Sequence, residues 1–366
     1  MTVYLDHNAT SPVRPEALEA MTAALSLPGN ASSVHGPGRR ARRLVEEARA
    51  RVAALAGADP AWVIFTSGGT EANNLALGGL PAPVIVVSAG EHDSVLQAAP
   101  AARRIALAAD GRVDLDALEA VLESAPEGAL VAVMLANNET GVIQPLEAVV
   151  ALARAAGARV HCDAVQAAGK IPLDMARLGV DMLTLSAHKL GGPPGVGALL
   201  ARPELPLSAL QRGGGQERRR RAGTENLPGI AGFGAAAEVA ARDLPAAAAL
   251  AALRDRFENA ALAIAPDLKV FGATAERLPN TSCVAVAGLP AETQLMALDL
   301  AGVAVSSGAA CSSGKIQPSH VLTAMGATAE EAASAIRVSL GWTSSAADID
   351  RLLAAWGDFY RRSQAA

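Results

Sequence analysis

Two strand ends in this chain carry side chains with chemistry to offer. Ser186-Ala187-His188-Lys189 puts a primary amine after one apolar run, and His161-Cys162-Asp163 puts a carboxylate at the end of another. An amine so placed can condense with a carbonyl carbon, and a carboxylate can hold a proton on a basic ring nitrogen. Singly, each has a plainer reading: Asp163 as a helix N-cap, Lys189 as a solvated loop lysine. Together, at the tips of two neighbouring strands, they reach opposite ends of one ligand lying across a sheet edge. Pyridoxal phosphate asks for that layout: lysine for the aldehyde carbon and Asp for the pyridinium nitrogen, which stays protonated so that the ring accepts electrons when a substrate loses its α-proton. Ser67-Gly68-Gly69-Thr70-Glu71 adds a strand-to-helix turn whose free N–H groups and helix dipole favour an anion. It is not a Walker motif, and alone it is better explained as an ordinary capped turn. Gly90-Glu91-His92 places an imidazole on the same rim, to stack on a planar ring or shuttle a proton if the rest of the site exists; a lone His is more often structural.

A further feature is the Gly/Ser-rich run from Ser306 to Lys315 around Cys311. Cysteine usually behaves as a small buried hydrophobe. Here it falls in a segment that reads as a mobile loop, with Lys315 nearby to favour the thiolate. A mobile nucleophilic thiol suits picking up a group in one place and delivering it in another. Cys283, within Thr281 to Val286, and Cys162 read as packed residues. Three thiols far apart, without a CxxC pair, argue against a disulfide framework or a zinc site. Arg39 to Arg51 reads as a solvated helix face. Arg218 to Arg221 reads as a phosphate or carboxylate site, or plain surface, rather than a grip on RNA, since the net charge is −5.

These groups need a scaffold. Strand-like runs at Trp62 to Thr66, Val84 to Ser88, Leu130 to Leu135, Arg159 to Cys162 and Met182 to Ser186 alternate with helical periodicity at Glu16 to Leu25, Ala41 to Leu55, Thr70 to Leu77, Leu115 to Leu122 and Leu146 to Ala155. The pattern predicts βαβ units around a mostly parallel sheet, an α/β fold whose ligands bind outside the carboxyl ends of the strands. After Gly229 come two Ala-rich helices (Ile230 to Arg242, Pro245 to Ile264), strand candidates Thr281 to Val286, Val303 to Ser306 and Arg337 to Leu340, and a last helix from Ala346. They predict a smaller α+β domain beginning near Asp243 to Leu250. With 366 residues, half of them apolar, the chain has ample material for two cores. It has no apolar run of bilayer-spanning length and no basic-then-apolar N-terminus, which together predict a cytoplasmic protein.

The motifs, in order, resemble the cysteine desulfurases that feed iron–sulfur cluster assembly. The resemblance covers Tyr4-Leu5-Asp6-His7-Asn8-Ala9-Thr10, Gly29 to His35, Phe65 to Asn74, Glu91-His92, Asn137 to Pro145, His161 to Gln166, His188-Lys189, Gly213 to Gly215, Ala222-Gly223-Thr224, Ser306 to Cys311 and Ile336 to Gly341. It implies a dimeric pyridoxal-phosphate enzyme with the aspartate-aminotransferase-like fold: a large domain at 14–246 with a mostly parallel seven-stranded sheet, and a small one at 1–13 with 247–366 that carries the cysteine loop. By the same resemblance Lys189 bears the cofactor as a Schiff base, Asp163 pairs with the pyridinium, Gln166 bonds the ring hydroxyl and His92 stacks on the ring. Gly69, Thr70, Ser186 and His188 hold the phosphate, with Thr224 reaching in from the other subunit. Asn138 and Arg337 bind the substrate, with Asn8 nearby. L-cysteine would leave as L-alanine, its sulfur held as a persulfide on Cys311 for an acceptor protein, either a cluster scaffold or a thiolation relay. No membrane or nucleic acid is implied as partner.

Two rival readings stand beside this one. A selenocysteine lyase or class V aminotransferase would share Lys189 and Asp163 but needs no mobile thiol, so Cys311 favours the desulfurase. A non-catalytic interaction partner would have no use for Lys189, His92, Asp163, Cys311 and Arg337 together.

Overall fold

The computed structural model describes residues 2–307 and 318–364. At its centre is a seven-stranded sheet, in spatial order Val63–Thr66, Gly197–Ala201, Met182–Ser186, Arg159–Asp163, Leu130–Ala132, Ile85–Ser88 and Arg103–Ile105. Gly197–Ala201 runs antiparallel to both neighbours, and the other pairings are parallel. The remaining six strands therefore share one direction and end on the same edge. Alternate residues feed two cores. Phe65, Val131, Leu183 and Leu200 pack on one face, while Ile64, Leu130, Met182 and Leu199 pack on the other. A sheet covered on both sides needs strands apolar at every position, which is why these read as short continuous runs.

The abundance of alanine and glycine has a packing consequence. Helices Gly36–Leu55 and Leu227–Arg242 approach so closely that a Cβ added to Gly234 would lie 2.7 Å from the Cα of Ala48. The arginines of Arg39 to Arg51 read as a solvated helix face, and Arg39, Arg40, Arg42, Arg43 and Arg51 are exposed. Arg49 corrects this: it is 4% exposed, its guanidinium stacks on Phe65, and it meets both carboxylate oxygens of Glu217 at 2.8 and 2.9 Å. Arg218, Arg220 and Arg221 are also structural. They bond the carbonyls of Ala61 and Pro203 and the carboxylate of Glu71.

The second core lies around Trp356, Phe257, Leu352 and Val284, beneath the helix Ala346–Gln364. Its four-stranded antiparallel sheet runs Ser306–Ser307, Ile336–Ser339, Thr281–Ala285, Lys269–Val270. The N-terminal strand Val3–Tyr4 pairs in parallel with Val303–Ala304, and Leu5 joins this core. The next residues, Asp6 to Ala9, leave it for the edge of the large sheet. Cys162 and Cys283 are fully buried, as their patterns predicted. Among the described residues no helix is long and apolar enough to cross a membrane.

Candidate active site

The shared strand edge opens into one cavity of about 560 Å³. Of the site residues that the resemblance implies, all but Thr224 and Cys311 line it. Topology explains the convergence. Asp163 ends one strand, Ser186 ends its parallel neighbour, and Lys189 follows in the single turn Ala187–Lys189. Thr66 and Ser186 both pair with Gly197 on the reversed strand, which brings the Ser67-Gly68-Gly69 turn beside Ser186. Gly197 has to be small, because a Cβ there would sit 2.6 Å from the carbonyl carbon of Gly68.

Lys189 Nζ is held 2.6 Å from the carbonyl oxygen of Asn8 and 2.7 Å from that of Ala9. Burial, reinforced by the nearby Arg337 cation, lowers its pKa to about 8 against the pull of Asp6 and Asp163. The amine is thus far closer to its neutral, nucleophilic form than a surface lysine. Opposite it, Asp163 accepts from Asn73 Nδ2 at 2.7 Å through one oxygen and from the Val165 N–H at 2.9 Å through the other. Asn73 Nδ2 also reaches Ser94 Oγ at 2.8 Å, and Ser94 Oγ lies 2.8 Å from His92 Nδ1, so one amide ties the carboxylate to the imidazole. The sequence reading gave no role to Asn73 or Ser94. Asn73 falls three residues after Thr70 on a helix whose first turn faces the site, a spacing that could have flagged it.

The helix Gly69–Gly79 begins at Gly68 without any side-chain cap, so its leading N–H groups face the cavity together with Ser186. His188 shares this wall, and burial and Lys189 lower its pKa to about 4, leaving a neutral imidazole. At the opposite end Arg337, 5% exposed, donates to Asp6 Oδ1 at 2.8 Å and to the Asn138 carbonyl at 3.2 Å. Its buried Nε has no partner among the described residues. Asn8 lines the cavity, but its side chain is already engaged. Nδ2 donates to the Asn138 carbonyl and Thr281 Oγ1, and Oδ1 accepts from Lys170 and Asn280. Asp6 and Lys170 are further participants that the sequence reading left without a role.

Thr224 is exposed and lies away from the cavity. Cys311 lies outside the described residues, but the described residues on either side of it lie at or beside the site. Ser306 lines the cavity and pairs in register with Arg337, and Ser319 donates to the buried Glu139 beside Asn138.

The donor set fits a phosphorylated aromatic aldehyde: an uncapped helix start for an anion, a half-buried amine of lowered pKa for the carbonyl carbon, a carboxylate for a ring nitrogen, and a guanidinium for a carboxylate. This arrangement of fold and site defines a class of enzyme, and the family model "Aminotransferase class-V" matches residues 3–352. A cysteine desulfurase of Cereibacter sphaeroides is 48% identical, over 96% of this chain and 94% of its own length. A solved NifS-like protein of Rickettsia africae superposes with a TM-score of 0.93 at 34% identity, covering 99% of this chain and 100% of its own. A third relative, solved as SspA in complex with cysteine, is 30% identical with a TM-score of 0.80, covering 93% of this chain and 99% of its own. The chain belongs to the class-V aminotransferase family, in its cysteine desulfurase branch.

Proposed function

We propose that this protein binds pyridoxal phosphate and moves sulfur from L-cysteine to Cys311, releasing L-alanine. The observation that carries the reading is the placement of Lys189: a half-buried amine with a pKa near 8, held by two backbone carbonyls, in one cavity with Asp163 and Arg337. The solved relative that holds cysteine supports the choice of substrate.

Bound through its aldehyde carbon, pyridoxal phosphate supplies an electron sink for charge developing at the substrate's α-carbon. The chain's own groups do the rest. Lys189 would anchor the cofactor through its amine and, as a base of lowered pKa in the same cavity, take the α-proton of the bound substrate. Asp163, fixed by Asn73 and the Val165 N–H, keeps the ring nitrogen protonated. Gln166 donates to the ring hydroxyl and His92 covers the ring. Gly69 and Thr70 N–H groups, Ser186 and His188 hold the phosphate, joined by Thr224 from a second copy in a homodimer. Arg337 and Asn138 orient the substrate carboxylate. The Cys311 thiolate attacks the substrate sulfur, and the Cβ–S bond breaks with its electron pair left on carbon. Cβ takes up one proton to become a methyl group and the α-carbon takes back the proton held by Lys189, so the carbon skeleton leaves as alanine while the new S–S bond remains on Cys311. A sulfur-acceptor protein in the cytoplasm then takes the outer sulfur.

Incubation of the purified protein with L-cysteine and a reducing thiol tests the reading: alanine should appear together with sulfide. Pyruvate and ammonia in place of alanine would overturn it.

A further inference from the structure

Lys170 has no part in the chemistry above, yet it is buried against the site. It lies four residues after Gln166, in the turn that leaves strand Arg159–Asp163. Its Nζ donates to Gln166 Oε1 at 2.6 Å and to Asn8 Oδ1 at 2.8 Å. Neither partner carries a charge. Burial, with the Lys189 and Arg337 cations nearby, holds this amine well below the usual lysine range. Uncompensated burial of an amine is costly and calls for a reason.

The hydrogen-bond logic supplies one. Gln166 sits between a donor and an acceptor, since its Nε2 donates to the Asn8 carbonyl at 3.0 Å. A lysine on one side and a carbonyl on the other permit only one orientation of the amide, with oxygen toward Lys170 and NH2 toward Asn8. The second Nε2 hydrogen is then left for the cavity that Gln166 lines. The same Asn8 carbonyl also accepts from Lys189 Nζ. We infer that Lys170 is a positioning residue for the cofactor, fixing the Gln166 amide with its N–H toward the ring hydroxyl. The inference rests on the pyridoxal-phosphate reading of the site.

The test uses cofactor-free protein titrated with pyridoxal phosphate, comparing parent, Lys170→Met, Gln166→Ala and the double variant. Affinity and the position of the visible absorption band are read, because the ring hydroxyl belongs to the chromophore. Lys170→Met should bind roughly tenfold more weakly, the loss of one hydrogen bond to a buried group. Its band should shift in the same direction as that of Gln166→Ala, and the double variant should be no worse than Gln166→Ala alone. Lys170→Gln, which keeps an N–H donor, should recover part of the loss and serves alone if the Met variant does not fold. Parental affinity and band in Lys170→Met, or effects that add in full to those of Gln166→Ala, would overturn the inference and leave the function intact. A parent that takes up no cofactor would overturn both.

Discussion

Asp6 and Arg337, which lie 331 positions apart, meet at 2.8 Å on the wall of the cavity. The guanidinium is almost fully enclosed, and its strand neighbour in register is Ser306, at the start of the segment that leads to Cys311. A carboxylate from the N-terminal segment thus aims the cation proposed to receive the substrate's carboxylate. Asp6→Ala should raise the KM for L-cysteine about tenfold with a smaller change in kcat, and lower stability by about 2 kcal/mol, since a charged hydrogen bond to a mostly buried group is lost. Steady-state kinetics and urea denaturation check the two effects.

The depressed pKa of Lys189 makes a prediction about cofactor capture. Only the neutral amine attacks an aldehyde. The rate at which cofactor-free protein turns yellow with pyridoxal phosphate should rise with pH and level off above about 8, the value set chiefly by burial. A rate still climbing in proportion to hydroxide at pH ~10, near the ordinary lysine value, would mean that the amine is not perturbed.

The expected strand ends were legible because they depend on local pattern. Met182–Ser186 and Leu146–Ala155 fall where their apolar spacing placed them. Two strands of the large sheet were not expected. Arg103–Ile105 is a sheet-edge strand with two exposed arginines, and Gly197–Ala201 has none of the β-branched residues that mark strands. What remained hidden in the site is polar and long-range. Asn73 reaches Asp163 across 90 positions, and Arg49 finds Glu217 across 168, so its helix looked solvated when read alone. Periodicity registers which face is apolar but not which buried charge has a distant partner.

That distant pair is itself testable. Arg49 and Glu217 have side chains 5% and 3% exposed, and Glu217 also accepts from the Phe65 N–H at 2.9 Å. Glu217, Arg218 and Arg219 all have positive φ, a backbone turn these non-glycine residues adopt only when held. Removal of Glu217 leaves the buried Arg49 with only the half-exposed Glu46 as counter-charge, so Glu217→Ala should lose about 3 kcal/mol of stability in urea denaturation.

Gly197→Ala probes the anion cradle without touching any group proposed to bind the cofactor. Its new methyl would press on the backbone of Gly68 and push the helix start away from Ser186. Overpacking of this kind costs about 1–3 kcal/mol, so pyridoxal phosphate should bind about tenfold more weakly and inorganic phosphate should compete with it less effectively. Equilibrium titration by visible absorbance measures both.

The most direct test of the account is the yield of alanine and sulfide from L-cysteine under a reducing thiol, with Cys311→Ala run in parallel. The account predicts equal amounts of both products from the parent, none from the variant, and the same yellow colour in each. A yellow Cys311→Ala variant that releases sulfide as fast as the parent would contradict it, because sulfur would then leave without passing through that thiol.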